Sequence, residues 1–381
     1  MGKAWINGAQ ASPGEAASAA ARLLAHSRLP LITGLETDVA GVKAALGLAK
    51  LCGGVVDHRD SHGLYRAIEV TRSSGRFTAT PAEMRRRADR FLIVGTEAAE
   101  SAADLIGFVL GAVRDLGRPS ADGAGRSIVW LGGGSSPLPG AGAAPVDVVA
   151  CAADGLSDAL GMIRAVLGGR PTGDGPISAE AAAAIAATLS GGAFVCVIWS
   201  VDSLDTLGID MAAGLVADLN LATRASSISL TGGGQAYGAA QIATSVTGFP
   251  LRSRFVVAES DGGAWSHDAW ANDGARLIAA GETDLVVHVS GLEGAAAPLL
   301  PAGVDAIVLM GGEMPQGAAV GFEIGVPGRD HAGVLYREEV GSFVPAEADG
   351  GGPDGAAKRS AADVLGAIAD ALRAQRKERA A

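Results

Sequence analysis

The class of fold is indicated by one stretch, Val55-Val56-Asp57-His58-Arg59-Asp60-Ser61-His62-Gly63, in which a short β-branched run passes directly into polar residues. Such a step is typical of a β-α unit at the carboxyl end of a strand, where α/β enzymes often carry a reactive side chain. The reactive candidate here is Ser61, an ordinary hydroxyl. No G-x-S-x-G nucleophile elbow and no cysteine cluster accompany it. The stretch therefore predicts an enzyme-like architecture without an obvious nucleophile.

The same pattern recurs along the chain, where short apolar runs alternate with alanine-rich segments of helical period. The runs are apolar throughout, which is typical of parallel strands covered on both faces. We therefore predict an α/β protein with doubly wound, mostly parallel sheets in two lobes. The predicted strands are 30–33, 54–57, 90–95, 127–131, 193–199, 226–230, 254–258, 285–290 and 305–310.

The domain organisation is predicted from the linkers. A segment rich in Gly and Pro, 168–176, separates two sets of predicted strands and helices. We expect residues 1–170 to form a first α/β lobe and residues 171–315 to form a second. Residues 316–381 are expected to return to the first lobe.

The composition narrows the class of protein. The 381 residues are 48% hydrophobic and 19% charged, which is typical of a folded chain with a sizeable core. The net charge of −11 disfavours nucleic acid as a partner. No apolar run approaches the roughly 20 residues of a membrane span, and the first eight residues do not resemble a signal peptide. We therefore expect a cytoplasmic protein that does not enter a membrane.

The three cysteines are Cys52, Cys151 and Cys196, and no two of them have metal-site spacing. Each lies among apolar residues, so we predict buried, inert thiols. The basic triplet at 85–87 is expected to be a solvated helix face rather than an anion site.

Three glycine clusters follow predicted strands, at Gly132, Gly232 and Gly311. Backbone amides at such turns can bind phosphate, and the cluster at Gly232 is the strongest candidate because a predicted helix follows it. None of the clusters has a dinucleotide or P-loop fingerprint. Tight turns without a ligand are the alternative explanation.

The histidines do not predict a metal site. His58 and His62 are four residues apart, which would pair them on a helix, but Gly54 and Gly63 bracket a segment expected to be strand and loop. Ser61 and its two neighbours, Asp60 and His62, would then point to alternate faces of an extended segment. They could not form a catalytic relay with one another. His288 is expected to be a core or strand-end residue. We predict no catalytic residue and no metal ligand.

The order and spacing of several segments resemble the B subunit of formylmethanofuran dehydrogenase, a molybdopterin oxidoreductase. The resemblance is closer to the B subunit of the formyltransferase/hydrolase complex of methylotrophs. The fold implied is the molybdopterin oxidoreductase core without its iron–sulfur and cap domains. The segments that carry the resemblance are 30–34, 46–50, 55–57, 61–63, 87–89, 91–95, 215–220, 247–250, Gly333 and 336–337.

The chain departs from the dehydrogenase pattern at three features. That family has a cysteine cluster for an iron–sulfur centre, whereas no cysteine precedes Cys52 here. By resemblance, Ser61 stands where that family has a metal-binding Cys before His-Gly, here His62 and Gly63. A hydroxyl is a poor replacement for a thiolate as a ligand of molybdenum or tungsten. Its Arg-Gly-His looks like Thr231-Gly232-Gly233. The resemblance therefore implies a relic cofactor pocket at Ser61, His62, Gly63, Thr231, Gly232 and Gly233, with no cofactor.

By resemblance, this chain is a non-catalytic structural subunit of a complex that transfers formyl from tetrahydromethanopterin to methanofuran and releases formate during formaldehyde oxidation. The implied partners are the A, C and D subunits of that complex, of which A is amidohydrolase-like and D is the formyltransferase. One alternative is an active molybdopterin- or tungstopterin-dependent B subunit of the dehydrogenase. Another is a free-standing nucleotide-binding protein that uses the glycine turns at Gly232 or Gly311.

Overall fold

The computed structural model describes residues 2–111, 113–120, 123, 125–134, 137–142, 145–230, 235–257, 262–295, 297–298, 300–349 and 358–380. The chain forms two compact units. Unit 1 comprises Met1–Ser61, Gly233–Tyr336 and Phe343–Ala381. Unit 2 comprises His62–Gly232 and Arg337–Ser342.

Unit 1 is built on one mixed sheet, whose nine strands within the described residues are ordered β11-β10-β4-β3-β12-β13-β14-β1-β2. The five central strands, from β4 to β14, run parallel, and the flanking strands are antiparallel. A hairpin of β15 and β16 completes the strands. Their bounds are Ala4–Ile6 (β1), Ala9–Ala11 (β2), Pro30–Glu36 (β3), Val55–Val56 (β4), Ser253–Val256 (β10), Ala264–His267 (β11), Leu285–Ser290 (β12), Asp305–Met310 (β13), Val320–Glu323 (β14), Gly333–Arg337 (β15) and Ser342–Ala346 (β16).

The helices of unit 1 have clear end signals. A capping box of Ser12 and Glu15 begins α1, and the side chain of Asp38 caps α2, which ends at the left-handed Gly53. Helix α1 packs on α12, and α2 packs on α12 and α10. The bounds are Pro13–His26 (α1), Val39–Cys52 (α2), Ala236–Thr247 (α10), Gly274–Ala279 (α11) and Ala361–Ala380 (α12).

Unit 2 is built on a sheet of five parallel strands in the order β7-β6-β5-β8-β9. The strand and helix bounds are Arg90–Val94 (β5), Ser127–Leu131 (β6), Val146–Val149 (β7), Phe194–Ser200 (β8), Arg224–Leu230 (β9), Ser61–Ser73 (α3), Pro81–Arg87 (α4), Thr96–Ser101 (α5), Ala103–Leu110 (α6), Leu156–Leu167 (α7), Ala179–Ser190 (α8) and Thr206–Leu219 (α9).

Alternate residues of the unit 2 strands enter two separate cores. Leu92 and Val197 pack with α7, α8 and α9, whereas their neighbours Phe91 and Cys196 pack with α4, α5 and α6. Both faces of the sheet are therefore covered, which explains why the strands are apolar at every position.

The predicted α/β class with parallel sheets is confirmed, and each predicted strand overlaps a strand of the structure. The sheets are mostly parallel as predicted, but the apolar run at 254–258 was expected to be a parallel strand, and β10 runs antiparallel to β4. Seven strands were not predicted, namely β1, β2, β7, β11, β14, β15 and β16, which are all only three to five residues long.

The division into units differs from the predicted lobes. The chain leaves unit 1 after Ser61 and returns to it at Gly233, not near residues 170 and 315. The Gly- and Pro-rich segment 168–176 connects α7 to α8 inside unit 2. A turn-rich composition marks a loop, but only long-range packing decides whether that loop separates two cores. The C-terminal segment lies in unit 1 with the N-terminus, apart from Arg337–Ser342.

No helix in the described part of the chain combines the length and the apolar character that a membrane span requires.

Candidate functional site at the carboxyl edge of the unit 1 sheet

The parallel strands of unit 1 end at an edge with a topological switch. From β3 the chain proceeds to β4 on one side, whereas from β12 it proceeds to β13 on the other side. Ligands of open α/β sheets bind at this kind of switch point. Charged and polar side chains are buried there to an unusual degree, with at most 6% exposed: Glu36, Asp57, His58, Ser61, Arg252, His288 and Ser290.

One group of these residues lies at the switch point itself. Arg59 binds both carboxylate oxygens of Glu36, with N–O distances of 3.0 Å, and Ser290 Oγ donates to Glu36 Oε2 at 2.8 Å. Glu36 reaches the switch point through an irregularity in β3. There Gly34 and Leu35 have positive φ angles of 78° and 58°. A Cβ on Gly34 would lie 2.4 Å from the carbonyl oxygen of Val289. The switch point is thus filled by a carboxylate of the chain itself.

A second group surrounds Ser61. Its hydroxyl lies 2.9 Å from Asp57 Oδ2 and accepts hydrogen bonds from Arg252 Nε at 3.3 Å and Nη2 at 3.2 Å. Arg252 also contacts Asp273 at 2.6 Å and donates to the carbonyl of Ala269 at 2.6 Å. Arg252 immediately precedes β10, whose antiparallel entry into the sheet brings it to this edge.

The carboxylate of Asp57 is bound from several directions. The amide N–H of Gly274 donates to Oδ2 at 2.9 Å, and the amide of His58 donates to Oδ1 at 2.9 Å. Burial nevertheless raises the pKa of Asp57 to about 6, although Arg252 and these hydrogen bonds favour the ionised form. Burial also raises the pKa of Glu36, against the opposing effects of Ser290 and Arg59.

Two buried histidines are close to these carboxylates. The amide N–H of Asp60 donates to His58 Nδ1 at 2.9 Å, so this nitrogen is an acceptor and the ring proton belongs on Nε2. Burial lowers the pKa of His288 to about 4, and the nearby charge of Arg59 contributes to this shift. His288 Nε2 has no hydrogen-bond partner among the described residues. His288 lies within β12, as predicted.

The predicted relic-pocket residues have separate environments. Ser61 lies in the buried network of unit 1, whereas His62 is exposed on α3 of unit 2. Gly63 is buried, and a Cβ there would lie 2.5 Å from Val201 Cγ2. Residues 231–233 lie outside the described residues. The hypothesis of a phosphate site at that turn therefore stays a prediction.

The prediction that Ser61 lies on an extended segment is wrong, because α3 begins at this residue. Asp60, a residue type favoured at helix N-caps, directly precedes this start and was a usable signal. The partner of Ser61 is Asp57, one helical turn earlier, and not Asp60 or His62. No Ser-His-Asp relay is formed by these residues.

Three residues of the buried polar network, Glu36, Arg252 and Asp273, were not predicted from the sequence. Glu36 was beyond the predicted end of its strand, and Arg252 and Asp273 were not singled out. A charged residue directly after a buried apolar run was a usable signal for Glu36. No local signal could have found Arg252, because it lies 191 residues from Ser61.

The residues present do not fit the molybdenum or tungsten centre that the molybdopterin resemblance implies. At the position of the metal-binding cysteine, the Ser61 hydroxyl is 2% exposed and already bonded to Asp57 and Arg252. Within the described ranges, no group of three or more His, Cys, Asp or Glu residues has metal-site geometry. We therefore derive no chemical step through such a centre.

The other sequence candidates have packing roles. Gly132 and Gly311 donate their amides to the carbonyls of Val149 and Ser290, which connects neighbouring strands. All three cysteines are free thiols, and burial raises the pKa of each, to about 11 at Cys52. Cys196 is buried as predicted, whereas Cys52 and Cys151 are partly exposed.

The fold and the site define an α/β protein of two units, one with a mixed sheet and one with a parallel sheet. The buried polar groups at the carboxyl edge of the mixed sheet largely satisfy one another. The B subunit of the formyltransferase/hydrolase complex Fhc from Methylorubrum extorquens strain AM1 is 32% identical over 375 residues, which is 97% of this chain and 98% of the relative. The chain belongs to this family of formyltransferase/hydrolase complex B subunits.

A solved structure agrees with this assignment. The chain is similar to one in the crystal structure of the complex FhcABCD from Methylorubrum extorquens with methylofuran, with a TM-score of 0.81 and 31% identity. The match covers 98% of this chain and 99% of the other. No protein-family model matches the sequence.

Proposed function

We propose that this chain is a structural component of a cytoplasmic formyltransferase/hydrolase complex and does not itself carry out redox chemistry. Its partners would be the A, C and D subunits, with A an amidohydrolase-like protein and D a formyltransferase. The complex would transfer formyl from tetrahydromethanopterin to methanofuran and release formate. Membership of the B-subunit family supports this proposal, because the relative from Methylorubrum extorquens is a subunit of the complex Fhc.

The proposal that this chain is not catalytic rests on the burial and the hydrogen bonds of Ser61. A nucleophile or metal ligand needs an accessible lone pair, whereas this hydroxyl is 2% exposed and engaged with Asp57 and Arg252. Glu36, held by Arg59, occupies the switch point in a similar manner. We infer that the scaffold derives from a molybdopterin oxidoreductase core in which internal ion pairs replaced the cofactor contacts.

Assembly with partners is supported by the surface. Several large apolar side chains are strongly exposed. Among them, Trp270 is 71% exposed in unit 1, and Arg276 lies 4.3 Å from the centroid of its ring. Trp and Arg are the residue types that most often dominate protein interfaces. The others include Val113, Leu207, Leu221 and Val257.

The proposal is tested by tagging the chain and purifying it from native extract. We expect relatives of the A, C and D subunits to copurify, and the chain expressed alone to melt at a lower temperature than in the complex. A soluble chain without partners, melting at the temperature of the complex, would contradict the structural role.

The non-catalytic part is tested on the same preparation. We expect no stoichiometric molybdenum or tungsten by elemental analysis. Ser61→Ala should leave formate release by the complex within about twofold, since removal of a true nucleophile costs many powers of ten. Ser74→Ala is the matched control, because Ser74 bonds Asp210 at the surface of unit 2. Loss of activity in Ser61→Ala alone, with assembly intact, would show that the site is working.

A further inference from the structure

Helices α7 and α9 of unit 2 flank an open groove of about 410 Å³, and the loop 171–176 forms part of its wall. The apolar lining includes Met162 on α7 and Leu207 and Met211 on α9. Leu207 is 54% exposed, whereas the two methionines are partly buried against the core of unit 2. The groove therefore presents apolar surface whose removal from water would favour binding of an apolar side chain.

The groove also contains a position without a side chain. Gly161 on α7 lines the groove, and a Cβ there would meet nothing within 4 Å. Glycine destabilises the interior of a helix relative to alanine, and no neighbour among the described residues requires glycine at this position. The space beside it is therefore available to a side chain from outside the chain. Met162 and Met211 suit such a contact, because methionine side chains are flexible and polarisable.

The charge around the groove is negative. Asp158 and Asp174 line it, and neither carboxylate has an ion pair or a hydrogen bond with another described residue. The described lining residues include no Lys, Arg or His. The arginines of the adjoining sequence do not offset this charge fully, since Arg164 is paired with Asp218 at 2.7 Å. The segments 154–176 and 202–211 contain two arginines and six aspartates, namely Asp154, Asp158, Asp174, Asp202, Asp205 and Asp210.

We propose that this groove binds a segment of a partner subunit that presents an apolar side chain next to Lys or Arg. The apolar side chain packs against Gly161 and Leu207, and the cation pairs with Asp158 or Asp174. Charge complementarity favours this occupant over a second copy of the chain. Two copies that met through the groove would bring the same carboxylates together, which is unfavourable. The inference rests on the structural role proposed above and adds the surface through which one partner is bound.

The contact is located by photocrosslinking in the intact complex. A photoreactive phenylalanine analogue replaces Leu207 in the tagged chain, and mass spectrometry identifies the peptide attached after irradiation. We expect a peptide of another subunit with Lys or Arg within about four residues of the attachment site, the separation of neighbouring side chains on a helix. Three results in an intact complex would overturn the proposal: attachment to a second copy of this chain, attachment to a segment without Lys or Arg, or no attachment.

Two variants measure the contact, with dissociation of the complex on dilution followed by mass photometry. Gly161→Leu fills the open position and should weaken binding of the crosslinked partner by about tenfold or more. Asp174→Lys reverses a charge at the rim, so it should weaken binding to a similar degree and reduce its dependence on salt. Asp147→Lys is the matched control, because Asp147 is exposed on β7 and does not line the groove. Its effect should stay within about twofold.

The design separates this proposal from the structural role. Circular dichroism should show unchanged helix content in both variants, since a Cβ at Gly161 meets no neighbour and Asp174 is exposed in a loop. If the unmodified chain copurifies with no partner, the structural role and the groove assignment both fail. If the complex forms but either variant dissociates at the same concentration as the unmodified chain, only the groove assignment is overturned.

Discussion

Arg252 donates to the hydroxyl of Ser61 from 191 residues away, through Nε at 3.3 Å and Nη2 at 3.2 Å. This contact joins the start of α3 to the strand β10, which enters the same sheet in the opposite direction. Both residues are buried, with at most 6% of their surface exposed, so the contact lies in a medium where unpaired charges are costly. Ser61 is thus part of a buried ion-pair network.

Removal of Arg252 is expected to be far more damaging than removal of Ser61. Arg252→Met leaves the carboxylates of Asp57 and Asp273 without their cation and should cost about 3–5 kcal/mol of unfolding free energy. Ser61→Ala removes one hydroxyl and its hydrogen bonds to Asp57 and Arg252 but leaves the ion pairs of Arg252 in place, and it should cost about 1–3 kcal/mol. Arg28→Met is the control, because its side chain is 89% exposed and its ion pair should contribute at most about 1 kcal/mol. Urea unfolding of the three variants measures the order, and equal losses for Arg252 and Arg28 would contradict it.

Asp57 and His288 are expected to have opposite effects on stability between pH 4 and pH 6. The folded pKa of Asp57, about 6, exceeds its ordinary 3.8, so its contribution to stability is present at low pH and is lost as the pH rises. The folded pKa of His288, about 4, is below its ordinary 6.5, so its contribution is present at high pH and is lost as the pH falls. Each amounts to about 3 kcal/mol, and the two largely cancel.

This cancellation can be tested with single variants. His288→Gln leaves the Asp57 effect, so its stability relative to the unmodified chain should fall as the pH rises from 4 to 6. Asp57→Asn leaves the His288 effect, so its relative stability should rise over the same range. Denaturant unfolding at several pH values measures both slopes. Identical pH dependence in all three proteins would refute the assigned pKa shifts.

Replacing Gly63 by alanine should destabilise the protein, even though alanine usually favours a helix such as α3. An alanine Cβ would lie 2.5 Å from Val201 Cγ2, so Gly63→Ala should destabilise the protein by about 1–3 kcal/mol through overpacking. Gly161→Ala, in α7 of the same unit, is the matched control because its Cβ would meet nothing within 4 Å. Alanine there should stabilise the helix by roughly 0.5–1 kcal/mol. Thermal unfolding compares the two, and a stabilising Gly63→Ala would contradict the packing.

The three thiols are expected to react with a thiol reagent in a defined order. Cys151 is partly exposed and should react first at pH 8, whereas burial raises the pKa of Cys52 to about 11 and should slow its reaction. Cys196 is fully buried and should react only after unfolding. Mass spectrometry of the labelled chain identifies the order. Rapid labelling of Cys196 in the folded chain would contradict the described core.

The positions of most strands were predictable because buried parallel strands need apolar residues at every position, as in Phe194–Ser200. Short edge strands such as Ala9–Ala11 carry too few residues for a pattern. The antiparallel direction of β10 depends on its pairing with β4, and no local feature of Ser253–Val256 encodes that pairing.

The sequence by itself determined the α/β class, the positions of most buried strands and the B-subunit resemblance. These follow from local propensity, from periodicity and from the order of short segments. Only the tertiary structure decided that Ser61 is buried with Asp57 and Arg252, and that Glu36 fills the switch point. It also decided that the units divide at 61–62 and 232–233. Burial and ion pairing join residues far apart in the chain, so local sequence does not encode them.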